Sequence, residues 1–422
     1  MELGSLTTKV GTRFKPFIKK VLPKCLIEKA QKLSTDLAVR SFKRANIAAF
    51  KKDRWRTGIN LIGDINASDG LSQSMRLIES VMTKCRIPHR VHEYSIAPEA
   101  EVKTRFTGKT TGGYPYGVNV FHINTADFPY GYNDLGAKAW NGHYNIGYWA
   151  WELQEIPEDW VRYIDMVDEI WTPSEFASET FRRYTSKPVI TVPHSVDVTF
   201  DENIDRGYFG LPEDKFLFLM MYASASISQR KNPMAVIRAF KKAFKPGRED
   251  VGLVIKVLPS DGYDEDIAAI RRAVEGYDNI YLVIENLTRL EVNSLMNVVD
   301  SYVSLHRAEG FGLPLAESML LGKPTVATDW SGNLEFMTPE TACLVDYDLV
   351  ELKKDIPPFK KGFHWADPKV NDAARCMKKL LEDKQFYDTI SDNAKKYVSE
   401  RLSQDAVGAI VAGRLKDIYS RH

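Results

Sequence analysis

At 422 residues the chain is too long for one ordinary core, and two domains of about 200 residues each are expected. It is 44% hydrophobic and 27% charged with a net charge of +1, the balance of a folded protein with no call on nucleic acid. No run approaches the roughly 20 apolar residues that span a bilayer, the N-terminus lacks a signal-peptide core, and Cys25, Cys85, Cys343 and Cys376 form no CxxC pair, so a cytoplasmic chain without zinc site or disulfide framework is expected.

Charge is unevenly spread. Residues 1–56 hold 15 Lys and Arg against four Asp and Glu, a net of +11, which leaves −10 on the remainder. Within this leader Phe14, Phe17, Ile18, Val21, Leu22, Leu26, Ile27, Ala30, Leu33 and Leu37 recur at three- and four-residue spacing. That predicts a helix starting or breaking at Pro16 or Pro23. It reads either as an interfacial helix with lysines on lipid phosphates or as a helix whose apolar stripe packs on the body.

From Gly58 the pattern alternates. Strands are predicted at 59–62, 90–95, 118–123, 145–150, 169–172 and 189–192, with helices after Asp69, over 157–167 and over 174–184. Such alternation means a parallel sheet with crossover helices. A polar link with Pro and Gly follows, and a second alternation begins. Its strands are predicted at 216–222, 252–257, 280–284, 301–305 and 325–328, with helices over 233–244, 264–275, 289–297 and 315–321. Four segments result: a basic helical leader (1–56), a first α/β domain (57–200), a second (201–385), and C-terminal helices (386–422) that pack back on the first.

The sharpest feature is "HRAEGFGLPLAESMLLGKPTVATDWSGNLEF", 306–336. Glu309, Gly310, Phe311, Gly312, Leu313 and Pro314 read as a strand end, a glycine turn and a helix start with Pro314 near its first position. Glycines let backbone approach a ligand closely, and amides at the helix start attract oxygen atoms. Glu317, after seven intervening residues, falls one turn into that helix and faces the same crevice. Two carboxylates there suit the recognition of sugar and ribose hydroxyls.

This stretch resembles the Glu-x7-Glu motif of retaining glycosyltransferases of the family 4 type, with "GFGLPLAE" and "GKPTVAT" around it. The resemblance covers most of residues 57–400. It implies the GT-B fold, two Rossmann-like doubly wound domains facing a cleft that closes over substrate. It implies a nucleotide-diphosphate sugar as donor, and no essential metal or other cofactor. On this likeness Glu309 and the amides of Gly310, Phe311, Gly312 and Leu313 hold the donor sugar, and Glu317 binds the ribose. In "FLMMYASASISQRKNPMAVIRAFKKAF" the positions matching the family's diphosphate-binding cations are Arg230 and Lys231. Ser226 stands where the commoner spacing has Arg. Basic residues at a helix start oppose the helix dipole unless an anion intervenes, which favours the same reading. Gly70 and Leu71, in "GDINASDGLSQSMR", match the family's glycine loop that faces the diphosphate.

On the acceptor side "GYWAWELQEIPEDW" (147–160) offers Trp149 and Trp151 as faces for sugar rings and Glu152 as the first candidate for contact with the reacting centre. His122 in "FHINTADFP" is the second, either functional or a core histidine. The "WEL…P…W…DEIWTPSEF" pattern looks like bacterial enzymes that build surface polysaccharide and lipopolysaccharide. The expected activity is therefore hexosyl transfer to a glycan or lipid-linked glycan, at an anionic membrane surface reached through residues 1–56, on the inner face of the cytoplasmic membrane. A catalytically silent glycan-binding scaffold and a nucleotide-sugar epimerase on the same fold are the alternatives.

Overall fold

The computed structural model describes residues 24–67, 69–96, 106–260 and 262–421. The leader positions from Phe14 to Leu22 lie outside them. The helix α1 spans Lys24–Arg44. One face, with Thr35, Ala38 and Val39, is buried, and Phe42 meets Tyr132 edge to face at 5.3 Å. The opposite face carries Leu26, Leu33 and Leu37, which are 49%, 59% and 54% exposed.

Contacts divide the chain into two compact units, each with its own sheet. In the first, β1 (Arg56–Gly63), α2 (Gly70–Lys84), β2 (His89–Glu93) and β3 (Tyr116–His122) are followed by α3 (Phe128–Leu135), α4 (Ala137–Trp140) and β4 (Tyr144–Tyr148). Then come α5 (Glu158–Val161), β5 (Glu169–Thr172), α6 (Glu175–Arg182) and β6 (Val189–Thr191). The six strands lie in the order β2-β1-β3-β4-β5-β6, all parallel. The last six residues of β1 are buried without alternation, as in a sheet covered on both faces. Asp69 caps α2: its Oδ1 accepts from Ser72 N at 2.8 Å. Met75, Ile78, Val81 and Met82 on that helix are buried, and Leu71 is half-buried.

The second unit takes Glu152–Glu155 and Val196–Ser403. It runs β7 (Phe216–Ala223), α7 (Ser228–Lys231), α8 (Pro233–Ala243), β8 (Val251–Leu258), α9 (Asp264–Val274), β9 (Ile280–Ile284), α10 (Arg289–Val298) and β10 (Ser301–Ser304). It continues with α11 (Leu313–Leu320), β11 (Thr325–Thr328), β12 (Cys343–Val345), β13 (Tyr347–Glu351), β14 (His364–Pro368), α12 (Val370–Glu382) and α13 (Lys384–Arg401). The order is β12-β11-β10-β7-β8-β9, again parallel. Apolar layers cover both faces, one around Phe218, Val236, Phe240 and Ile255, the other around Leu219, Leu295, Met296 and Phe336. The antiparallel pair β13 and β14 was not predicted.

The C-terminal helices part company. α13 stays in the second unit, where Ala394 and Val398 join the core. Only α14 (Gln404–Arg421) belongs to the first. Its Val407, Val411, Leu415 and Ile418 fill that core, and Arg414 grips the fully buried Glu169 through Nε to Oε1 (2.8 Å) and Nη2 to Oε2 (2.5 Å). The expected boundary at 386 thus falls at 403, because the inner face of α13 matches the layer beneath α11 rather than the first sheet.

In the second sheet β7 and β10 are neighbours, paired at Phe218–Ser301 and Leu219–Tyr302. From β7 the chain winds outward through β8 to β9, and from β10 the opposite way through β11 to β12. Loops leaving the C-terminal ends of two such strands diverge and open a crevice, the usual ligand position in this architecture.

Candidate active site

The loop after β10 carries Glu309, and it is braced from below. Glu309 N donates to Ser331 Oγ (2.9 Å), and Gly332 N donates to Glu309 O (2.8 Å). Ser331 holds a left-handed φ of 85°. A Cβ on Gly332 would stand 2.1 Å from Gly310 O, so this approach requires glycine. Further in, Asn333 Oδ1 lies 3.0 Å from His306 Nε2 while Asn333 Nδ2 donates to Thr328 O (3.0 Å). Gly312 turns the chain into α11 at φ 94°, with Pro314 in the first turn. The Phe311 ring points into the core, 5.0 Å from Phe336.

The loop after β7 is equally fixed. Ile227 and Asn232, both left-handed (φ 59° and 54°), bound the single turn α7. Asn232 Nδ2 donates to Leu305 O (3.0 Å), Arg307 N to Arg230 O (2.8 Å) and Arg307 Nη1 to Gln229 O (2.8 Å). The two crevice loops are therefore stitched to each other through backbone.

That stitching sets Arg230 and Lys231 against Glu309. Lys231 Nζ pairs with Glu309 Oε1, and Arg230 Nη1 lies 3.2 Å from Oε2 and donates to Ala308 O at 2.9 Å. Glu152, the chain's brief excursion into this unit, brings its Oε1 to 3.9 Å from Arg230 Nη1. Burial alone would push the Glu309 carboxyl up, but the Lys231 and Arg230 charges override it and hold it down at about 2. Lys231 shifts down, because burial outweighs the Glu309 charge beside it. Burial pushes Glu152 up, Arg230 opposing and Glu309 adding to the shift. The result is two cations and two carboxylates compressed into one largely buried corner of the crevice.

Glu317 does not join this cluster. It is buried on α11, with Oε1 paired to Arg289 of α10, and burial pushes its carboxyl up.

The candidates on the first unit have other surroundings. Gly70 and Leu71 form the exposed and half-buried first turn of α2. His122 is buried at the end of β3, its Nε2 2.8 Å from Ser74 Oγ and its ring stacked on Tyr148 at 4.7 Å. Burial pushes it down to about 3, so it is neutral at pH 7. Ser74 Oγ also lies 3.2 Å from His194 Nδ1. Trp149 and Trp151, expected as stacking faces for sugar, are 0% and 1% exposed. Trp149 packs on Phe128 and Phe181, and Trp151 stands edge-on to Trp160 at 4.7 Å. Neither ring is open to a sugar as expected: both complete the core, Trp149 roofed by α3 and α6 and Trp151 by α5.

Sequence reasoning missed Ser331, Gly332, Asn333, Arg307 and Arg289. "WSGN" after a strand was the available signal for the first three.

Residues 201–397 match the family model described as Glycosyl transferases group 1. A trehalose synthase of Thermococcus litoralis is 25% identical over 273 residues, 61% of this chain and 58% of that protein, so the chain spans less than two thirds of its relative. Among solved structures, HepE of Anabaena in complex with UDP and glucose superposes with TM-score 0.62 at 15% identity, over 86% of this chain and 100% of that one. Sucrose-phosphate synthase from Thermosynechococcus elongatus gives 0.65 at 13% identity, over 87% and 100%. The fold is therefore GT-B, and the stretch similar to the glycosyl transferases group 1 model lies on the second unit, which holds the cation–carboxylate cluster at its switch point.

Proposed function

We propose that this chain transfers a hexose from a nucleotide-diphosphate sugar to a hydroxyl of a glycan or lipid-linked glycan, with retention at the anomeric carbon, in the building of surface polysaccharide or lipopolysaccharide. The observation that carries the reading is the set of half-buried Arg230 and Lys231 on buried Glu309 where β7 and β10 end. In this reading the donor's diphosphate displaces the Glu309 oxygens from Lys231 Nζ and Arg230 Nη1, and Glu309 turns to sugar hydroxyls. As the bond from the anomeric carbon to the diphosphate oxygen breaks, charge builds on that oxygen. Two fixed cations stabilise it more than they stabilise the ground state. The acceptor oxygen bonds to the anomeric carbon, and its proton passes to the departing diphosphate. Lys231 and Arg230 supply the neutralising charge, so EDTA leaves the rate unchanged. HepE, crystallised with UDP and glucose, makes UDP-glucose the first donor to try.

The test is release of nucleoside diphosphate from UDP-, GDP-, ADP- and dTDP-sugars, with and without a panel of octyl glycosides. Acceptor-dependent release from one donor is expected, with an α-linked product from an α-linked donor by NMR. Conversion of the donor sugar without release would replace transfer by epimerisation. Donor binding with no turnover on any acceptor would leave a silent glycan-binding scaffold.

For the leader we infer an anionic bilayer surface as partner. Besides the exposed Leu26, Leu33 and Leu37, α1 exposes Lys29, Lys32, Arg40 and Arg44. Each leucine contributes about 1.5–3 kcal/mol when fully taken out of water, and each cation about 1 kcal/mol near an anionic surface. None of the described helices is long and apolar enough to cross a membrane, which leaves lying on it. Full-length protein is expected to float with phosphatidylglycerol vesicles but not with phosphatidylcholine ones. Leu26→Ser, Leu33→Ser and Leu37→Ser together should abolish flotation without lowering Tm; undiminished flotation removes the inference.

A further inference from the structure

Glu317 presents a physical problem of its own. Its side chain is 3% exposed, yet only one of its oxygens is satisfied: Oε1 by Arg289, while Oε2 has no hydrogen-bond partner among the described residues. A buried carboxylate oxygen left unpaired is costly, and an apolar side chain would serve the core better. Its partner is just as odd. Arg289 is the first residue of α10, where a cation opposes the helix dipole. The start of that helix is already satisfied without it by a capping box, in which Glu291 Oε2 accepts from Thr288 N (2.7 Å) and Thr288 Oγ1 from Glu291 N (3.3 Å). Tyr208 OH donates to Glu291 Oε1 at 2.5 Å and fixes the same turn. So α10 is anchored independently of Arg289, whose 45% exposed side chain is free to serve the carboxylate on α11.

We propose that Arg289 is a positioning residue for the donor's ribose: by engaging Oε1 it fixes the Glu317 rotamer, so that Oε2 is presented to accept hydrogen bonds from the ribose hydroxyls. This rests on the donor-site reading above. The unpaired oxygen is the second half of a pair that the ligand completes. Burial pushes the Glu317 carboxyl up even with Arg289 in place, and without the guanidinium it rises further. Protonated, it would meet the ribose with a hydroxyl in place of one acceptor.

The experiment measures binding by calorimetry of whichever of UDP, GDP and ADP gives the largest thermal shift, beside its 2′,3′-dideoxy counterpart, between pH 6 and 9. Wild type is expected to prefer the ribose form at least tenfold. Arg289→Ala should lose most of that preference at the acid end and regain part of it as pH rises. Arg289→Lys should restore it, and Glu317→Gln should lose it at every pH. Both nucleotides share the diphosphate, so Lys231→Ala should weaken them equally. Arg289→Ala with wild-type preference and a flat pH profile overturns the positioning role while Lys231→Ala still weakens binding. If Lys231→Ala binds both nucleotides as wild type does, or none of the three nucleotides binds, the donor-site reading fails and this inference with it.

Discussion

Lys231→Ala is expected to lower kcat at least tenfold while moving Tm by no more than a degree or two. One charge-assisted contact to the departing diphosphate contributes about 1.5–3 kcal/mol, and each 1.36 kcal/mol is a factor of ten in rate. Stability changes little because Glu309 keeps Arg230 as a counter-ion at 3.2 Å when Lys231 is gone. Steady-state kinetics beside a thermal melt checks both halves. A variant that turns over at the wild-type rate removes Lys231 from the donor site.

Glu309→Ala is expected to lower kcat at least as far, but this time Tm falls as well. It leaves Arg230 and Lys231 side by side in a largely buried corner, with only Glu152 at 3.9 Å to answer them. Stranding buried charges in this way costs a few kcal/mol. The pH dependence separates this cost from a packing defect. With its carboxyl held at about 2, against about 4.3 in an unfolded chain, Glu309 contributes stability that is complete above the unfolded value and is lost as pH falls through the folded one. The Tm gap between wild type and Glu309→Ala should therefore be full at pH 6–7 and close between about pH 4.3 and 2. A gap that stays constant to the acid end means that the alanine damages packing instead.

Which parts of this were legible in advance depended on how local their physics is. The Glu309 turn and the Arg230–Lys231 pair announce themselves through glycines, a proline and misplaced cations within a dozen residues. Alternating strands and helices likewise gave both parallel sheets. Trp149 and Trp151 misled because aromatic density says nothing about direction, and the helices over that strand end decide which way the rings face. Arg289 lies 28 positions before Glu317 on another helix, so only the packed fold joins them. Ser331 and Gly332 look like an ordinary turn, since the backbone they brace belongs to a loop more than twenty residues earlier. The strands β13 and β14 escaped because β13 buries none of its five residues and so has no period-two pattern to read.

The return of α14 has a bearing on how the polypeptide acquires its shape on the ribosome. Val407, Val411, Leu415 and Ile418 complete an apolar layer whose other members lie between Phe50 and Val192. The N-terminal sheet emerges early but keeps a bare flank until some two hundred further residues have been made, while the intervening unit already has every segment it needs. The half synthesised second is thus the first able to finish folding, and the nascent N-terminal half is the one exposed to aggregation while it waits.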